Sequence, residues 1–258
     1  MSKFLAFSFL IPCLIFSEIR AQTGEKRNVL FIVVDDLNDY VEGFNGQPQI
    51  ETPNINGLID RGYLFTNAFC NAPVCAPSRV SFLAGKDLQY TQVYDNNNYL
   101  DEFRDNFNFA NNNEEVITLP EHLKDAGGYF TCSINKVFHD PWNKDYDNTT
   151  PNPCEKSLSW SKAISFSDFL DIDSILETTN EGINQFKWGR VPDSLEVSMR
   201  DSRAVDSAIS FINAVEDNTI ELCDSAFFLA LGFALPHLDL FVPEKYYSSF
   251  YLKGSSII

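Results

Sequence analysis

Asn28-Val29-Leu30-Phe31-Ile32-Val33-Val34-Asp35-Asp36 is the stretch on which the fold turns. The run from Val29 to Val34 is unbroken, apolar and largely β-branched, and two acids follow it at once. A short run with neither helical nor alternating periodicity predicts a strand buried on both faces of a parallel sheet. Open sheets of this kind place their sites outside the carboxyl ends of the strands, which is where Asp35 and Asp36 stand. Tyr129 to Ile134 and Ala226 to Ala234 (AFFLALGFA) read as further strands, and Phe65 to Phe69 as another. Helical patterns lie between them. Thr52-Pro53-Asn54 opens a short one through Ile55, Leu58 and Ile59 to Gly62, and a second runs on from Ser78. Thr118 to Ala126 is predicted as a helix capped by Thr118 with Glu121 three residues on, a capping box ended by Gly127-Gly128. Ser202 to Val215 carries an apolar face through Val205, Ile209 and Ile212. The alternation predicts an α/β fold, a mostly parallel central sheet flanked by helices.

The opening residues 1–21 have one early lysine, an apolar run from Phe4 to Phe16 and a small residue at Ala21. They read as a secretory signal peptide; the apolar run is too short for a membrane span. Residues 22–258 then form one domain, large enough for a real core. Residues from about 143 to 197, rich in Ser, Asn and acids, read as a long surface excursion carrying the glycosylation sequon Asn148-Thr149-Thr150. A net charge of -17 argues against nucleic acid or an anionic membrane as partner. Cys70, Cys132, Cys154 and Cys223 are candidates for disulfides in an oxidising compartment, with three pairings open.

Four short segments carry groups capable of chemistry. Two ionised carboxylates ~4 Å apart repel by roughly 4 kcal/mol at an effective dielectric near 20, so Asp35-Asp36 at a buried strand end favours a cation between them or protonation of one. Taken alone, such a pair is more often turn-forming or capping aspartates. Cys75 precedes a predicted helix N-terminus, a position suited to an anion or to developing negative charge. Arg79 four residues on could lower its pKa and make a thiolate nucleophile; an ordinary buried or bridged cysteine is the plainer alternative. Lys136 and His139 follow a predicted strand, as solvated loop residues often do. His237 sits beside Pro236 at the end of another.

Cys75-Ala76-Pro77-Ser78-Arg79, continuing to Gly85-Lys86, resembles the activation signature of the type I sulfatases, within the alkaline phosphatase superfamily. VVDDLND, NAFCNAPVCAPSRVSFLAGK, TLPEHLKDAGGYF and NKVFHD fall in family order and look most like the iduronate-2-sulfatase branch. The resemblance implies an alkaline-phosphatase-like sulfatase N-terminal catalytic domain. It implies that a formylglycine-generating enzyme converts Cys75 to formylglycine while the chain is unfolded. One hydroxyl of the hydrated aldehyde would attack sulfur, and the other would help expel sulfate. By the same resemblance Asp35, Asp36 and position 75 hold Ca2+, and Arg79 steadies the diol. Lys136 binds the sulfate, His139 touches the nucleophile, and His237 contacts the sulfate or protonates the leaving oxygen. The implied substrate is 2-O-sulfate on iduronate of heparan or dermatan sulfate, or a related sulfated sugar. The implied destination is the secretory pathway, lysosomal or extracellular. Ala84, Asn135, Leu235 and Asp239 stand where these motifs usually have Ser or Thr, Gly, Lys and Pro respectively.

The family's cation site takes a further Asp followed by His or Asn from a later strand, and no such pair follows His237. The pairs Asp95-Asn96, Asp105-Asn106, Asp147-Asn148 and Asp217-Asn218 come too early, in loop or surface contexts. The expectation is a domain incomplete at the C-terminus, with an unpaired sheet edge and little or no activity in isolation. Two rival readings remain. A phosphate-transferring relative would bind zinc through several histidines, and only three are present. A non-catalytic remnant that binds sulfated glycans would be favoured by the missing ligands.

Overall fold

The computed structural model describes residues 25–44, 46–47, 50–97, 104, 115–139, 152–153, 158–166, 188–222 and 226–246. The predicted signal peptide, the sequon, Cys154 and Cys223 lie outside them. In chain order the described elements are β1 (Val29–Val34), α1 (Pro53–Ile59), α2 (Cys75–Ala84), α3 (Leu88–Thr91), α4 (Leu119–Asp125), β2 (Phe130–Asn135), β3 (Lys162–Ile164), β4 (Trp188–Val191), α5 (Arg200–Glu216), β5 (Phe227–Phe233) and β6 (Leu240–Pro243). Four strands form one sheet in the order β1-β5-β2-β3, and every pairing in it is parallel. β4 and β6 form a separate parallel pair. Among the described residues no helix is long and apolar enough to cross a membrane.

β5 is the sheet's centre, and its side chains alternate strictly between the two faces, as the pleat requires. Phe228 and Ala230 join Ala76, Val80 and Leu83 of α2, together with Phe138 and Trp160, in one core. Phe227, Leu229 and Leu231 join Ala204, Ala208 and Phe211 of α5 in the other, along with Phe130, Cys132 and Ile134 of β2. Aromatic pairs tighten both. Trp160 stacks on Phe228 with centroids 6.4 Å apart, and Phe211 meets Phe227 edge-on at 5.4 Å. α4 starts as its sequence predicts: the Thr118 hydroxyl accepts from the Glu121 N–H, and the Glu121 carboxylate accepts from the Thr118 N–H.

Three expectations are corrected. β1 is half-exposed, because it lies at the end of the strand order with α2 on one face only; Leu30 and Ile32 face outward. Residues 65–69 form a turn instead of a strand, and Phe65 and Phe69 are exposed. The polar region from 143 to 197 is not wholly superficial. Trp160 is completely buried in the α2-side core, and Lys162–Ile164 pairs with Cys132 to Ile134 as the sheet's fourth strand. Hydroxyls bind this segment to the domain: Thr131 Oγ1 donates to the Ser159 carbonyl and accepts from the Ser161 N–H, at 2.9 and 3.0 Å.

Candidate active site

Parallel pairing decides which residues meet. β1, β2 and β5 run in the same direction, so the segments that leave their carboxyl ends share one edge of the sheet. Asp35 leaves β1, Lys136 leaves β2, and Ala234 to His237 leave β5. Backbone bonds extend the ladder past the strand ends, from the Asp35 N–H to the Phe233 carbonyl (3.2 Å) and from the Lys136 N–H to the Gly232 carbonyl (3.3 Å). α2 closes the edge from one side with its first residue, Cys75.

Asp35 is the hub. It is buried, and its Oδ1 accepts from Arg79 Nη2 at 2.8 Å while its Oδ2 pairs with the Lys136 ammonium. Cys75 Sγ lies 3.7 Å from the same Oδ2. Burial alone would raise the Asp35 pKa; the Arg79 guanidinium beside it, then the Lys136 ammonium, outweigh that and hold it below the usual carboxylate range. Arg79 sits one helical turn after Cys75, so α2 carries both residues towards Asp35. Its other nitrogen, Nη1, donates to the carbonyls of Lys136 and of Val137, the latter at 2.8 Å. One guanidinium therefore ties α2 to β1 and to the loop after β2.

Position 75 opens a ten-residue helix whose cap, Val74, offers no side-chain acceptor. The Ala76 N–H donates instead to Asn96 Oδ1 at 2.9 Å. Asn96 thus belongs to the support of the candidate nucleophile, although its sequence context reads as a surface loop. The Cys75 thiol is pushed up, first by burial and then by the negative charge of Asp35, with Lys136 opposing and Asp36 adding to the rise. Arg79 spends its charge on Asp35 and two carbonyls, so it does not create the thiolate that a bare Cys–Arg spacing suggests.

Asp35, Cys75 and His237 each present a ligand atom within 4.8 Å of the others, the one group of this kind among the described residues. Asp36 is exposed and lies outside that group, with a left-handed φ of 55° that turns the chain away from β1. His139 is half-buried and also outside it. The His237 ring Nδ1 lies 2.6 Å from the Leu238 carbonyl oxygen, and the His237 N–H donates to the Ala234 carbonyl at 2.9 Å. The donor set suits a hard divalent ion only in part: of the three residues only Asp35 supplies carboxylate oxygens, and such an ion takes about 6–8 oxygens. An oxygen in place of the Cys75 sulfur would harden the set. Cys70 and Cys132 carry free thiols, exposed and buried respectively, so neither takes part in a bridge.

Asn135, where the motif resembled above has glycine, adopts φ 63°. That left-handed backbone is one that glycine fills freely and asparagine tolerates best among other residues. Its side chain is fully buried and donates to the Gly232 carbonyl at 2.7 Å and to Asp201 Oδ1 at 3.0 Å. Asp201 itself gives no signal in the sequence: an acid in the first turn of a helix reads as a routine dipole partner.

The fold is an α/β domain with a parallel sheet flanked by helices, and it gathers Asp35, Cys75, Arg79, Lys136 and His237 at the carboxyl edge of that sheet. The sulfatase family model matches residues 27–256, and the chain belongs to the sulfatase family. It is 31% identical over 250 residues to iduronate 2-sulfatase of Homo sapiens, covering 93% of this chain and 41% of the human protein. It is 32% identical over 242 residues to a sulfatase of Formosa agariphila, covering 89% of this chain and 43% of that protein. The chain thus spans less than half the length of these relatives. Among solved structures, a phosphonate monoester hydrolase of Agrobacterium radiobacter aligns over 87% of this chain and 44% of its own, at TM-score 0.55 and 18% identity. A sulfatase of Pseudoalteromonas sp. aligns over 88% of this chain and 47% of its own, at TM-score 0.54 and 20% identity. At these identities the structural matches speak for the fold alone.

Proposed function

We propose that this chain carries the nucleophile side of a sulfate-ester hydrolase acting on a sulfated sugar. The substrate class is 2-O-sulfated iduronate of heparan or dermatan sulfate, or a close relative. The observation that carries the reading is the convergence on one buried carboxylate: Cys75 at a helix start, Arg79 and Lys136 all reach Asp35. Family membership supports the reaction class, and the relative named iduronate 2-sulfatase supports the sugar.

In this reading Cys75 is converted to formylglycine by a formylglycine-generating enzyme in the secretory pathway, on the way to the lysosome or the extracellular space. Asp35 and Asp36, with position 75, would hold Ca2+, which would supply positive charge against the sulfate, and the modified position 75 would supply the attacking oxygen. The protein's own residues do the rest. Arg79 fixes Asp35 and the first turn of α2, so that position 75 keeps its place relative to the acid. Lys136 turns its ammonium from Asp35 towards an arriving sulfate oxygen, with little loss of paired charge. His237 gives a proton to the departing alcohol oxygen, and His139 contacts the nucleophile from the β2 side.

Trypsin releases Gly62 to Arg79 as one peptide, because no Lys or Arg lies between. From a secretory host this peptide should show position 75 short of one sulfur and two hydrogens and richer by one oxygen. An intact thiol, or a disulfide, in every copy would sink the proposal.

A further inference from the structure

We infer that Asp201 is a positioning residue, a single carboxylate that sets Lys136 and His237 relative to each other; the inference rests on the site reading just given. Asp201 lies in the first turn of α5, whose cap Met199 makes no side-chain bond. Its carboxylate does not turn back on its own helix. Oδ1 accepts from the Ala234 N–H at 2.9 Å and from Asn135 Nδ2 at 3.0 Å, and Oδ2 accepts from the Leu235 N–H at 2.9 Å and the Ala234 N–H at 3.1 Å.

The two clamped segments are those that deliver the basic groups. Asn135 is the residue before Lys136, held left-handed, and its Oδ1 accepts from Arg200 Nε at 2.6 Å. Ala234 is bonded through its N–H to Asp201 and through its carbonyl to the His237 N–H. From the carboxylate to the backbone of His237 there is thus one intervening peptide unit. From the carboxylate to Lys136 there is one asparagine side chain. The segments also touch directly. A Cβ at position 232 would lie 2.0 Å from the Lys136 carbonyl oxygen, so Gly232 lets the two chains meet. Asp201 reaches neither Asp35 nor Cys75, and it acts only through the geometry of others.

The test uses the 258-residue chain from a secretory host, in three variants: Asp201→Asn, Asn135→Gly and both together. Asparagine at 201 keeps the shape but has one acceptor oxygen for three donors. Glycine at 135 keeps the left-handed backbone and deletes only the side-chain bonds. Imidazole signals are followed by NMR, with His122, His139 and His237 assigned by His→Gln substitution. Asp201→Asn should move the His237 signal and leave that of His122, at unchanged far-ultraviolet circular dichroism. Where the wild type turns over an aryl sulfate, the kcat of Asp201→Asn should fall on the order of 10²-fold, the cost expected of a ~1 Å misplacement. Asn135→Gly should fall less, and the double variant should fall by less than the product of the singles. A His237 signal identical to wild type in a folded Asp201→Asn overturns the inference, as does full additivity. If Asp201→Asn does not fold, Asn135→Gly alone decides, by whether the His237 signal moves. The NMR arm needs no turnover, so an intact thiol at Cys75 would defeat the proposed function and leave this clamp to stand or fall separately.

Discussion

Asp35 carries two cations on its two oxygens, with all three side chains largely buried. Removing it leaves the Arg79 and Lys136 charges without their counter-ion in a low-dielectric pocket. Breaking a buried pair from one side costs about 3–5 kcal/mol. Asp35→Ala should therefore lower the urea midpoint by a corresponding amount at unchanged slope; an unchanged midpoint would mean that water reaches the site freely. The sequence placed Asp35, Lys136 and His237 after strands, because those positions follow from apolar runs and parallel pairing; the helix predicted from Ser78 starts three residues earlier, so Cys75 is its first residue. It did not reveal Asn96 or Asp201. Their roles are bonds to backbone N–H groups 20 and 33 residues away, and local pattern carries no trace of such reach. Asn135 shows the opposite limit. Its departure from glycine reads as a blemish in the motif, yet the backbone there is left-handed and the extra amide finds partners on both sides.

At the scale of elements, β1 and β3 depart from what their local sequence predicts. An unbroken apolar run predicts burial on both faces, but among the described residues β1 has a single neighbour, β5, and no helix over Leu30 and Ile32. Lys162–Ile164 is too short and too polar in its surroundings to be seen as a strand, and only its register with β2 identifies it. An apolar strand with an open edge and an open face recruits other chains. The 258-residue chain should therefore self-associate as its concentration rises. Ile32→Lys should reduce that association in light scattering while shifting stability by no more than about 0.5 kcal/mol, as surface changes usually do. If the lysine variant associates just as strongly, the contact lies elsewhere.

For the whole molecule, pH acts through groups whose protonation differs between folded and unfolded states. Cys132, at the centre of the α5-side core, is pushed up to about 12 by burial. An unfolded thiol titrates near ~8.5. Below that value the thiol is protonated in both states and stability does not respond to it. Between the two values only the unfolded chain loses the proton, so folding stability falls as pH rises, by up to ~1.4 kcal/mol per pH unit. Denaturation curves from about pH 8 to 11 should show that slope, and Cys132→Ala should flatten it while lowering stability throughout through the cavity it leaves. Equal slopes in the two proteins would show that the thiol is not the source. The predicted class, an α/β domain with a parallel sheet, holds at this scale because the long apolar strands dominate it. The polar middle of the chain reads as surface because Trp160, which is fully buried, stands amid many polar residues.

Arg79 is 3% exposed, with its guanidinium turned inward on Asp35 and two main-chain carbonyls. If Cys75 is converted as proposed, an enzyme reading its segment through this arginine would reach it only before the domain closes. Maturation and folding would then be competitors on one clock: chains that collapse quickly would keep their sulfur, and chains delayed by cold or by a slower nucleus would have longer to exchange it.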